Sequence, residues 1–131
     1  MAGDPIAELT AIVEVYVARH SHHRDTARVA NREFDLLTGE WHEEVVAIRR
    51  RLRDRLTDVL VAGQQTGVFH LPGTDGASPV GTAANVTAIT ILDMCIHLSE
   101  WFHDRRPLSL AELQHLYVEM ALRLAGAARR G

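Results

Sequence analysis

The chain of 131 residues contains no lysine; all 14 of its basic residues are arginines. That absence excludes a phosphate-loop lysine, a Schiff-base lysine and a pyridoxal site. The single cysteine, Cys95, rules out an intrachain disulfide and a thiolate zinc site. A basic excess is also missing. The formal net charge of -3 argues against a dedicated nucleic-acid surface. The longest stretch of low charge, residues 71–92, is broken by Pro72, Asp75 and Pro79, so no membrane-crossing helix is expected. No basic-then-apolar secretory layout opens the chain, and a cytoplasmic location is the expectation.

What is present is an ordinary core-forming composition, 47% hydrophobic and 24% charged. Surface scaling for this mass gives about 6,900 Å² exposed when folded, against roughly 21,000 Å² for the extended chain. One domain spanning residues 1–131 is expected, stable without staples.

Five stretches carry helical periodicity. The first opens at Asp4-Pro5, a cap followed by proline at the first helical position. It places Ile6, Leu9, Val13, Tyr16 and Val17 on one face and ends near His20. The second covers residues 24–37, with Ala27, Ala30, Phe34 and Leu37 inward. Thr38-Gly39 stops it, and Thr38 is a cap for the next. The third, about 40–65, carries Trp41, Val45, Ile48, Leu52, Leu56, Val59 and Leu60 at steps of three and four, with Gly63 and Gly67 fraying its end. Residues 70–77 form a loop by composition. Ser78-Pro79 repeats the cap-plus-proline signal and starts a fourth helix reaching about His103. It is apolar over most of its circumference, with a polar stripe of Thr90, Asp93, His97 and Glu100. The fifth begins at the capping box Ser109/Glu112, with Leu108 stapling onto Leu113, and stops at Gly126. Helices alone, joined by short connections, predict an all-α five-helix bundle.

The last two helices, meeting across residues 104–108, are expected to pair as a hairpin. One side covers the other helices and the other side meets a second copy, giving a homodimer through a four-helix bundle. The expected interface is Ala88, Leu92 and Cys95 on the fourth helix, with Leu113, Leu116, Tyr117, Met120 and Leu124 on the fifth.

Several constellations hint at chemistry. His20, His22 and His23, with Asp25, fall on the break between the first two helices, where polar residues belong anyway. His42-Glu43-Glu44-Val45-Val46 has valine where a zincin motif needs its second histidine. Glu-x-x-His occurs at Glu100/His103 and Glu112/His115, but Glu112 already serves the capping box. Arg49, Arg50, Arg51, Arg53 and Arg55 interleave with Asp54, Asp58, Glu43 and Glu44. They read as a solvated, salt-bridged face that can still offer one or two arginines to an anion at a pocket mouth. The polar stripe on the fourth helix faces solvent or lines a cavity, and Asp93 and His97 are spaced to pair. Neither a metal, nor a cofactor, nor an enzymatic reaction is expected. The alternatives are a dimerisation module without a ligand, or a small helical metal-binding protein.

The segments Ile91-Leu92-Asp93-Met94-Cys95, Trp101-Phe102, Arg106-Pro107-Leu108-Ser109, Glu112, Tyr117 and Ala121-Leu122-Arg123-Leu124 resemble the last two helices of TetR-family transcriptional repressors. Tyr16-Val17-Ala18-Arg19-His20, Arg28-Val29-Ala30-Asn31-Arg32-Glu33, Val45-Val46-Ala47-Ile48-Arg49 and Gly67-Val68-Phe69 are similar to the preceding part of the same regulatory domain. The similarity runs from about Asp4 to Gly126, and is strongest to the regulators of fatty-acid or steroid catabolism, several of which sense acyl-CoA thioesters. It implies a ligand-binding and dimerisation domain, with the last two helices in the dimer. The implied cavity is lined by Val13, Tyr16, Phe34, Ile48, Leu52, Met94 and Trp101, with Asn31 and Arg32 as polar contacts. The implied effector is small and hydrophobic or acyl-CoA-like. The sequence as it stands begins at the regulatory part, without the helix-turn-helix domain, so direct DNA binding by this chain is not expected.

Overall fold

The computed structural model describes residues 3–22, 39–102 and 108–128. Their order is α1 (Pro5–His22), α2 (Gly39–Thr66), α3 (Val80–Ile96), α4 (Leu98–Trp101) and α5 (Leu110–Leu124). The fold is all-α, with no strand among the described residues. The predicted helix at 24–37, with Asn31 and Phe34, lies outside them, as do the Thr38 cap and most of the turn at 104–108.

Local chemistry sets the helix ends. At α1 the Asp4 carboxylate accepts the Ile6 N–H at 3.0 Å. At α5 the Ser109 hydroxyl oxygen accepts the Glu112 N–H at 3.1 Å, and the same hydroxyl lies 3.1 Å from the Glu112 carboxylate. Both ends follow the sequence expectation. The start of α3 does not: Pro79 itself is the N-cap, with no side-chain capping bond, so Ser78 is not the cap. The predicted run to about His103 is interrupted at His97 and resumes to Trp101, with His103 outside the described residues. The helix breaks at His97, whose N–H bonds to Asp93, and the next turn tightens as the Glu100 N–H reaches the His97 carbonyl at 3.0 Å. Ser99 donates its hydroxyl to the Ile96 carbonyl at 3.1 Å, a local bond that competes with a continuing helix. Phe102 then leaves in extended backbone.

α2 does not fray at Gly63. Phe69 folds back onto that glycine, and a Cβ there would overlap its ring. The helix ends instead at Gly67, with φ at +81°. The loop that follows is anchored. Gln64 accepts the Leu71 N–H at 2.7 Å and donates to Thr74, while the His70 N–H bonds to the Ala125 carbonyl at 3.1 Å. Phe69 and Leu71 are thereby buried.

α1 touches every other element. α5 packs mainly on it and α3 mainly on α2, so the expected close hairpin of the last two long helices is reduced to a minor contact. Leu9, Val13 and Val17 from α1 meet Leu56 and Leu60 from α2, Ala88, Ile91 and Cys95 from α3, and Leu113 and Ala121 from α5, all buried. Each large aliphatic residue removed from water contributes about 1.5–3 kcal/mol. Residues 80–101 are long and apolar enough to cross a membrane by length and composition, beyond the 71–92 stretch considered from sequence. Here that stretch serves as a core wall, with Ala84, Ala88, Ile91, Cys95 and Leu98 fully buried.

Candidate effector cleft

Two helical ridges face each other with the same spacing. Val46, Arg49, Arg50 and Arg53 occupy steps of zero, three, four and seven on α2. Ile89, Leu92, Asp93 and Ile96 occupy the same steps on α3. That period keeps each set on one face of its helix. Between them, with Tyr16 of α1, lies a cleft of about 320 Å³. This volume lies at the lower end of the usual range for small-molecule sites.

The cleft is two-sided in chemistry. Apolar side chains supply most of the α3 wall, and three guanidinium groups supply much of the α2 wall against the single carboxylate of Asp93. Arg53 is half-buried. Its Nε is sealed from solvent and makes no hydrogen bond among the described residues, with the Asp54 carboxylate 3.8 Å away. Arg55, outside the cleft, reaches Glu8 of α1 at 3.6 Å. The arginine face thus divides: part ties α2 to α1 and part lines a cavity.

Burial raises the Tyr16 hydroxyl above its ordinary range, opposed by the positive charges of Arg19 and Arg49. It stays a neutral hydrogen-bonding group at neutral pH. His20 stacks on the Tyr16 ring with centroids 5.4 Å apart, and its Nδ1 lies 3.0 Å from the Tyr16 carbonyl. A carbonyl only accepts, so Nδ1 carries the proton. Burial lowers the His20 pKa, more than the backbone bond raises it. His20 is therefore committed to supporting Tyr16. The rest of the histidine cluster lies at the edge of, or outside, the described residues.

Of the cavity residues expected from sequence, Tyr16 is the one placed in the cleft. Val13 is fully buried core, Leu52 and Met94 pack half-buried against that core, and Ile48 is exposed. Trp101 stands on the outer surface, stacked on Tyr117 at 6.5 Å and edge-on to Phe102. Asn31, Arg32 and Phe34 lie outside the described residues. Leu92, assigned to the dimer face, instead helps line the cleft. Val46, Ile89 and Ile96 were missed, although their matching spacing on two helices was available. Thr90, Asp93 and His97 are all exposed, and no side-chain ion pair joins Asp93 to His97.

The expected interface also separates. Ala88 and Cys95 are fully buried within the protomer, and Leu92, Leu113 and Tyr117 nearly so, leaving almost no area for a second copy. A face apolar all round reads the same from sequence whether it is filled from within or from outside. Leu116 and Met120 remain, 44% and 43% exposed, beside half-buried Leu124.

The described elements thus form an all-α bundle with an amphiphilic cleft walled by separate helices. The family described as "Tetracyclin repressor-like, C-terminal domain" matches residues 2–125, and the chain belongs to that family. A regulatory protein of the tetR family from Rhodococcus RHA1 is similar in structure, with a TM-score of 0.81 and 28% identity over 97% of this chain. This chain spans 62% of that protein's length. Among curated proteins, none matches in sequence.

Proposed function

We propose that this chain is the effector-binding and dimerisation domain of a TetR-type repressor working in the cytoplasm. It takes a small hydrophobic or acyl-CoA-like anion in the cleft between α2 and α3. The observation that carries this reading is the pairing of an arginine-bearing ridge with an apolar ridge around about 320 Å³ of space. An amphiphilic anion satisfies both walls: guanidinium groups bind carboxylate or phosphate oxygens, and the apolar wall covers a hydrocarbon chain. No reaction is assigned to the cleft. The domain covers residues 1–131 and reads DNA only through a separate helix-turn-helix part.

Dimerisation uses the exposed apolar stripe of α5, Leu116 and Met120, with Leu124 beside it. Ligand in the cleft favours one arrangement of α2 and α3, and so one placement of the two protomers and of DNA-reading heads carried by them.

Native mass spectrometry at low and high protein concentration, with and without dodecanoyl-CoA, tests both parts. The expected result is twice the monomer mass, gaining one ligand per protomer. The paired substitutions Arg50→Gln and Arg53→Gln should weaken uptake by about tenfold or more, the loss expected for charge-assisted hydrogen bonds. A monomer at both concentrations overturns the dimer. A dimer that takes up neither this thioester nor a free fatty acid overturns the effector cleft.

A further inference from the structure

Asp93 does not fit a site built only for an anionic head and a greasy tail. It stands on the α3 wall between apolar neighbours, Leu92 and Ile96, and faces the arginines across the cleft. A carboxylate there repels an incoming carboxylate or phosphate. Neither Asp93 nor Arg50 makes an ion pair with the other or with any described residue. Both are exposed, so two opposite, hydrated charges line one open cleft without pairing with each other.

Resting on the effector reading above, we propose that Asp93 is a specificity residue, and that the ligand carries a hydrogen-bond donor close to its anionic head. The ligand class is a hydroxylated amphiphilic acid or thioester, with the anion on the α2 arginines, the hydroxyl donating to the Asp93 carboxylate, and the chain along Ile89, Leu92 and Ile96. A donor to a charged acceptor offsets the repulsion, whereas a ligand lacking it leaves the carboxylate facing a like charge. Asp93 thus selects by attracting one ligand and repelling its close analogue.

Isothermal titration calorimetry of the whole chain with decanoate and with 3-hydroxydecanoate tests this. The wild type should bind the hydroxy acid about tenfold more tightly, the effect of one charge-assisted hydrogen bond at a partly solvated site. Asp93→Ala should abolish that preference and tighten decanoate binding, since the repulsion goes with the carboxylate. Asp93→Asn keeps an acceptor and should retain part of the preference while also tightening decanoate. Because Asp93 is exposed, both variants should fold, which circular dichroism would verify. Equal affinity of the wild type for both acids, with binding still weakened by Arg50→Gln, overturns this inference and leaves the effector cleft standing. A preference that survives in Asp93→Ala also overturns it. Binding of neither acid overturns this inference, and a failure to take up dodecanoyl-CoA as well overturns both readings.

Discussion

At the scale of single residues, the same amino acid carries different consequences at different places. Gly126 and Gly39 both have positive φ, +71° and +66°. A Cβ at Gly39 meets nothing, whereas one at Gly126 would run into the His70 carbonyl. Gly39→Ala should therefore cost about 1–2 kcal/mol, the backbone penalty alone. Gly126→Ala should cost more, by a further 1–3 kcal/mol or so, because the loop held to α5 must move. Urea unfolding of the two variants checks the order. Cys95 provides a second case. Burial pushes its thiol up to about 12 from an ordinary 9.0, so the unfolded chain loses that proton first. Stability from this group is complete below pH 9 and falls as pH rises from there towards the folded value. Burial raises Tyr16 and Tyr117 as well, adding to the decline above their ordinary 10.0. Cys95→Ala should flatten the first part of that alkaline slope. A native thiol that reacts with a disulfide reagent at mildly alkaline pH as fast as the unfolded one would contradict the burial.

At the scale of elements, the two best-capped helices are the two packed most closely on each other. α1 and α5 start on Asp4 and Ser109, and Gln114 of α5 donates to the Glu14 carbonyl of α1 at 2.9 Å. Replacing Ser109 by Ala leaves the Glu112 N–H without its side-chain acceptor and should cost about 1 kcal/mol, seen as a lower denaturation midpoint with an unchanged slope. Replacing it by Asp should restore most of the loss. α3 is the opposite case. It starts without a side-chain cap and breaks at His97, so its position depends on packing against α1 and α2.

For the whole molecule, the notable feature is apolar surface left open: Trp101, Leu116 and Met120 are each about two-fifths exposed. A second copy laid on the α5 stripe would cover part of that surface. Leu116→Glu combined with Met120→Glu should shift the proposed dimer to monomer in sedimentation without unfolding it, because both positions are exposed in the protomer. Cys95→Ala, buried within the protomer, should leave the association unchanged. An unaltered dimer in the glutamate variant would place the interface elsewhere.

Several of the helix ends were decided by the sequence itself. Asp4-Pro5, the Ser109/Glu112 box and Gly126 act through bonds and backbone angles spanning a few residues, and such signals read correctly in a linear chain. The family likeness was legible for the same reason, as an order of short segments. Tertiary structure decided which apolar face is core, which is cleft and which is open. Ala88, Cys95, Leu113 and Leu116 all look alike as members of an apolar stripe, yet α1 lies against the first three and leaves Leu116 uncovered. The arginines at 49, 50 and 53 read as a solvated face until Ile89, Leu92 and Ile96 stand opposite them. A helix carries its own periodicity in its sequence, but the neighbour that turns a face into a wall is supplied by residues far away along the chain.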